Sequence, residues 1–356
     1  MKIINLVLIG FYIKISFENL YSNNNILEHN NNENHNLRDI NLSNILISKK
    51  NLILGVIQEY SLVTVLPFFK SIIRSKFTNC DVVIFFRKIS QDLIEYIKRI
   101  GILSFEISHE YENDNIVSLR WKIYANYLNE KKNEYNLVFI ADVRDTLFQS
   151  DIFKYYERHK SFLGLAIEDG TLNETSNRIW ITNFVGLEKH KDIENERIIC
   201  LGTLWGTLDK VLEFSTLFWE KYLSNTTFVD QGVANYLFYY EKLLKEFIVK
   251  SDNYGPVMTV GLTQSKNLIL DNENNLLNFK GEIAAVIHQY DRKNEIFTKL
   301  LYKYCPEFNI SDDIEFNYRN NNEKADINNF VCFYIFFIII LIIKYISLII
   351  NFKKIL

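Results

Sequence analysis

Leu137-Val138-Phe139-Ile140-Ala141-Asp142-Val143-Arg144-Asp145-Thr146-Leu147-Phe148 is the stretch that decides the fold. Its first five residues are apolar without polar alternation, the pattern of a strand buried on both faces. Two carboxylates and an arginine follow where that strand should end. Carboxylates held away from water are costly unless a cation or hydrogen bonds compensate them. In α/β proteins the carboxyl ends of parallel strands open into the crevice that binds ligands. An acidic cluster at this position is therefore a candidate metal or ligand site.

Upstream of it, strands and helices alternate. Residues 51–57 and 81–86 read as strands, and 103–107 as a third short one. Between them, 62–76 has helical spacing, and 90–99 reads as a helix with Ser90 as N-cap. Residues 117–132 form another expected helix, with Leu119, Ile123, Tyr127 and Leu128 on one face. Such alternation implies a parallel sheet with right-handed crossovers. Downstream, 162–167, 179–184, 198–206 and 284–288 read as strands. Helices are expected over 208–223, 230–245 and 290–304, and no internal repeat is visible.

Both ends have their own character. Residues 1–20 carry Lys2 and an apolar core over 3–13, which predicts a signal peptide or an N-terminal anchor. Residues 21–48 read as an Asn-rich linker, 49–310 as the folded domain, and 311–329 as a second linker. Residues 330–350 are apolar apart from Lys344, Ser347 and the tyrosines. At about 1.5 Å per residue they match a hydrocarbon core of about 30 Å, which predicts a transmembrane helix. The tail 351–356, with Lys353 and Lys354, favours the cytosolic side and resembles a dilysine retrieval signal. The expectation is a single-pass protein of the endoplasmic reticulum or Golgi membrane with its domain in the lumen. Sequons at Asn41, Asn173, Asn225 and Asn309 are compatible with that, and equally with chance in an Asn-rich chain.

The net charge of -3 points away from nucleic acid as a partner. Cysteine spacing excludes a zinc-ribbon pattern. Cys80, Cys200 and Cys305 are open to two readings: one lumenal disulfide, or ordinary buried thiols.

Four pieces in order carry a resemblance: residues 141–149 around Asp142-Val143-Arg144-Asp145, residues 202–207 with Gly202 and Gly206, then Asp230-Gln231-Gly232, and last His288-Gln289-Tyr290-Asp291-Arg292. Over about residues 51–305 the chain resembles the GT-A glycosyltransferases of the nucleotide-diphosphosugar transferase superfamily, in an Asp-x-Arg-Asp variant of their Asp-x-Asp motif. The resemblance implies a mixed, mostly parallel α/β sheet flanked by helices. It also implies a UDP- or GDP-sugar donor, Mn2+ or Mg2+, and a glycan, lipid or protein acceptor. Carboxylates suit such a cation because hard oxygen ligands hold it while it neutralises the leaving diphosphate.

By the resemblance, Asp142 lies near nucleotide and metal, Asp145 on or near the metal, and His288 returns as third protein ligand. Asp230 and Gln231 face the sugar or acceptor as catalytic candidates, while Arg120, Arg144 and Gly202 border the donor. Each has a plainer reading. Arg144 can pair with Asp145, Asp230 can be a helix cap, Arg120 an ordinary salt bridge, His288 a core histidine, and Gly202 with Gly206 bare turn glycines. Two other functions compete. A haloacid-dehalogenase-like phosphatase would need its second aspartate two residues after the first, where this chain has Arg144. A membrane-tethered glycan-binding protein could keep the fold without turnover.

Overall fold

The computed structural model describes residues 49–223 and 228–307. The expected leader, linkers, apolar segment 330–350 and lysine tail lie outside the described residues, as do the sequons at Asn41, Asn225 and Asn309. Among the described residues no helix is long and apolar enough to cross a membrane.

The first half follows the alternating pattern: β1 (Lys50–Gln58), α1 (Leu62–Ser75), β2 (Cys80–Arg87), α2 (Gln91–Arg99), β3 (Leu103–Glu106), α3 (Ile116–Glu130) and β4 (Tyr135–Asp142). After it come β5 (Thr146–Phe148), β6 (Leu163–Thr171), α4 (Thr175–Val185), α5 (Leu187–Lys191), β7 (Arg197–Thr207) and α6 (Leu208–Leu217). The described residues end with α7 (Asp230–Tyr239), β8 (Ile248–Ser251), β9 (Val257–Thr259), β10 (Ile269–Leu270), β11 (Leu276–Leu277), β12 (Val286–His288) and α8 (Asn294–Tyr304).

The central sheet runs β3-β2-β1-β4-β7-β6-β8. From β3 to β4 it is parallel, as the alternation implies. Beyond β4 it is mixed, because β7 runs antiparallel to both β4 and β6, while β8 is parallel to β6. The mixed, mostly parallel sheet matches the expectation, and the antiparallel part lies in residues 163–207. Strand order reverses between β1 and β4, and ligands of open α/β sheets bind at such a switch point.

Alternate residues of β1 and β4 feed two cores. Leu52, Leu54, Val138 and Ile140 pack with Leu119, Trp121, Tyr124 and Leu128 of α3. Ile53, Ile57, Leu137 and Phe139 pack with Val65, Phe68, Phe69 and Ile72 of α1 and Leu93 of α2. Both faces of these strands are thus buried, which is why they read as continuous apolar runs.

Some elements depart from expectation. Residues 179–184 are not a strand but the second half of α4. The Glu174 carboxylate accepts hydrogen bonds from the amides of Ser176 and Asn177, at 3.1 and 3.2 Å, and so caps the helix. Ile181 then buries in the same core as Val233 of α7. The cap and this packing outweigh the strand preference of the β-branched residues. The helix that begins at Asp230 ends at Tyr239, and the last one begins at Asn294 after a short 3-10 turn. Gly202 and Gly206 lie inside β7 rather than beside a turn. Cys80, Cys200 and Cys305 are free thiols.

Candidate active site

Register assembles the site. β4 ends at Asp142 in the central sheet, and after three residues the chain enters β5 of a second sheet ordered β5-β12-β9. The interval between Asp142 and Asp145 is the span from one sheet to the other. β12 runs antiparallel to β5 and pairs His288 with Thr146. The Gln289 amide donates to the Asp145 carbonyl at 2.8 Å. His288, far away in sequence, therefore lies beside Asp145. On the other side, β7 pairs Thr203 with Ala141, which sets Gly202 near Asp142.

His288 Nε2 stands 3.3 Å from Asp145 Oδ1 and 3.8 Å from Asp142 Oδ2. It is buried and faces the Asp145 carboxylate, which favours its protonated form. One ligand atom from each of Asp142, Asp145 and His288 lies within 4.8 Å of the others. Ligands about 2.1 Å from an octahedral ion sit about 3 Å apart along an edge, so the trio fits a small divalent cation. Two carboxylates and one imidazole suit Mn2+ or Mg2+ and leave positions open for phosphate oxygens.

Gly202 makes this approach feasible. A Cβ there would collide with the His288 ring and meet Asp142 Oδ2 at 2.8 Å. Gly202→Ala is expected to cost about 1–3 kcal/mol of stability through overpacking. It should also weaken any Mn2+ binding, because the displaced groups belong to the cluster that could hold a cation. Urea melts and Mn2+ titration together check this, and a variant with unchanged Mn2+ affinity would detach Gly202 from the site.

Two arginines, Arg120 buried and Arg144 partly buried, manage the acids. Arg120 of α3 donates to Asp142 Oδ1 at 2.5 Å and to Asp230 Oδ2 at 2.7 Å. Its guanidinium is engaged by carboxylates rather than held open for a diphosphate. Asp230 also accepts from Trp121 Nε1 at 3.0 Å and from the Gln231 amide at 2.8 Å. Asp230 is thus the first residue of α7, with Val229 at the cap position. Gln231 is held between the Leu201 amide and Asn177 Oδ1, at 3.4 and 3.1 Å.

Arg144 bridges Asp145 at 3.0 Å and Asp291 at 3.6 Å. Burial raises the Asp145 pKa, but the charges of Arg144 and His288 outweigh that, and the carboxyl lies below its ordinary range. His288 is raised: burial opposes its cation, while Asp145 and Asp142 favour it more strongly. Burial and the neighbouring Asp145 charge push Asp291 up to about 6.

A carboxyl raised in this way adds stability below its unfolded pKa and loses it as pH rises through about 6. Asp291→Asn removes that loss. The variant should be more stable than the wild type at pH 8, on the order of 1 kcal/mol, and near parity at pH 4. Urea melts at the two pH values read the difference. A variant weaker than wild type at pH 8 would mean that the Arg144 ion pair dominates.

These groups line one cleft of about 480 Å³ at the carboxyl ends of β1 and β4. Asp142, Arg144, Asp145, Arg120, Gly202, Asp230, Gln231 and His288 all border it, so every sequence-derived candidate is brought together. Its lining also includes three residues that sequence reasoning passed over: Tyr60, Glu168 and Trp180. Tyr60 follows the end of β1, and Glu168 lies in the carboxyl-terminal part of β6, positions that a strand-end rule could have flagged. Trp180 was hidden by the mistaken strand over 179–184. Glu168 is only 3 % exposed and its Oε1 has no hydrogen-bond partner among the described residues. Burial raises its pKa.

No protein-family model matches the chain, and no curated protein matches it in sequence. Solved structures do match. Glycosyltransferases are among the solved structures it is similar to. They include the apo structure of the bifunctional glycosyltransferase WbbM, at 12 % identity and TM-score 0.47, covering 74 % of this chain and 50 % of that one. GlyE of Streptococcus pneumoniae TIGR4 follows at 13 % and 0.43, covering 77 % and 64 %. The galactosyltransferase LgtC, in complex with donor and acceptor sugar analogues, matches at 15 % and 0.42, covering 70 % and 94 %. The chain thus spans half the length of the WbbM chain and under two thirds of GlyE.

Proposed function

We propose that this protein is a metal-dependent glycosyltransferase that moves a sugar from a nucleoside-diphosphate donor to a glycan, lipid or protein acceptor. The observation that carries the reading is the Asp142, Asp145 and His288 cluster, set at the β1/β4 switch point with the buried His288 Nε2 facing two carboxylates. A divalent cation held there would neutralise charge on the departing diphosphate. The protein's own residues do the rest. Arg120 fixes one oxygen of Asp142 and leaves the other toward His288. Arg144 holds Asp145 ionised, and Gln231, clamped by Asn177 and Leu201, presents the cleft wall where the transferred sugar would lie. The aspartate spacing disfavours the phosphatase alternative, since Arg144 stands where its acid would be.

The test is a screen of the full chain against UDP- and GDP-sugars with and without Mn2+, read as nucleoside diphosphate release. Mn2+-dependent release with at least one donor is expected, and none with any donor would overturn the reading. The proposed location is the endoplasmic reticulum or Golgi membrane, with the domain in the lumen. Protease protection of residues 155–245 in intact microsomes is the expected result, and digestion there would reverse the topology.

A further inference from the structure

We propose that Trp180 is a stacking platform for a sugar ring of the acceptor, which makes the acceptor of the proposed transfer a glycan. This deepens the transferase reading above and rests on it for where the transferred sugar lies.

The chain has four tryptophans. Trp121 and Trp205 are buried among other aromatic rings. Trp219 packs against the core with Lys122 over its ring. Trp180 differs from all three. It joins none of the three apolar cores, and among the described residues no ring, cation or hydrogen-bond partner engages its indole. It is half-buried and lines the cleft. An indole is a large apolar surface with a polar N–H, and folding ordinarily covers both. A ring left open in the wall of a cleft is a surface for a ligand to cover.

The ring is open, but its backbone is held. A Cβ at Gly232 of α7 would stand 2.6 Å from Trp180 Cβ and 2.9 Å from its carbonyl carbon. The missing side chain thus lets α7 and α4 meet at this point. Ile181, next in the chain, is fully buried in the core that also holds Val233 of α7. Asn177, one turn earlier on α4, accepts from Gln231 Nε2 at 3.1 Å. Trp180 therefore stands on a clamped helix beside Gln231, where the transferred sugar is placed. A platform fixed in advance loses little freedom on binding.

A pyranose offers two kinds of surface. Its faces carry C–H groups with weakly positive hydrogens, and its rim carries hydroxyls. The negative face of an indole matches the first. The second needs polar partners, and the same cleft supplies Ser176 and Glu168, whose buried Oε1 has no hydrogen-bond partner among the described residues. An alkyl chain would cover these groups and leave them unsatisfied. An extended peptide presents amides rather than a broad C–H face.

The test is saccharide binding to the full chain by saturation-transfer NMR titration, with Mn2+ and UDP or GDP present. The probes are methyl pyranosides and disaccharides of glucose, galactose, mannose and N-acetylglucosamine. At least one is expected to bind. Trp180→Leu should weaken that binding by about 10-fold, while Trp180→Phe should keep most of it, a contrast that a merely structural role would not produce. Equal affinity in wild type and Trp180→Leu would overturn the platform, as would a wild type that binds none of the saccharides. Nucleoside diphosphate release stimulated only by a long-chain lipid phosphate or a peptide would overturn the glycan acceptor. No release from any donor would instead overturn the transferase reading, and saccharide binding would still decide the role of Trp180.

Discussion

Asp142→Ala is expected to lower Mn2+-dependent nucleoside diphosphate release by at least about 10²- to 10³-fold, the scale of removing one aligned electrostatic group from an active site. Asp142 ends β4 with one oxygen on Arg120 and the other facing His288. The substitution removes a proposed metal ligand and also releases one arm of Arg120. Its effect on stability should be small, because the Asp142 side chain is 38 % exposed and Arg120 keeps Asp230. The two changes separate in Asp142→Asn, which can still accept from Arg120 but lacks the charge a cation needs. Turnover at the wild-type level in Asp142→Ala would remove this residue from the site.

The second large effect is on folding. Arg120→Met should destabilise the protein by about 3–5 kcal/mol, the cost of leaving a buried ion pair half broken. Asp230 is 3 % exposed, so without Arg120 its charge has no comparable compensation. Trp121 Nε1 and the Gln231 amide remain, but both are neutral donors. Lysine is a poor replacement, since one point charge cannot serve two carboxylates in a planar fork. The double variant Arg120→Met with Asp230→Asn should lose less than Arg120→Met alone, because the stranded charge is gone. Urea melts of the three proteins measure the coupling. A loss under about 1 kcal/mol in Arg120→Met would show that Asp230 is satisfied otherwise.

These two predictions separate two roles that the sequence alone left merged. Arg120 was a candidate for the donor diphosphate, yet its fork is occupied by Asp142 and Asp230. Arg144 had two readings, donor contact or partner of Asp145, and the pairing is present, extended to Asp291. An arginine beside acids in sequence cannot reveal which carboxylates it meets, because those partners come from other elements.

Much of the first half was legible because its strands are buried on both faces. Residues 51–57, 81–86 and 137–141 are mostly apolar without polar alternation, and each appears as a strand within a residue or two at either end. Residues 179–184 misled because β-branched residues suit strands in isolation, while the Glu174 cap and contact with α7 decide otherwise. The three-residue strands β5 and β9 are too short to show a period and exist as strands through their pairing with β12, which falls within the strand expected over 284–288.

By itself, then, the sequence determined an α/β alternation, a buried strand ending in acids, and a small set of polar residues in a recognisable order. Those are local properties, set by hydrophobic periodicity and by the cost of placing charge beside an apolar run. Only the tertiary structure decided that Asp142, Asp145 and His288 share one point. That depends on two registers, His288 with Thr146 and Thr203 with Ala141, and on the missing side chain of Gly202. Register joins segments 62 and 142 residues apart, and the packing energy that selects it belongs to no single stretch of chain.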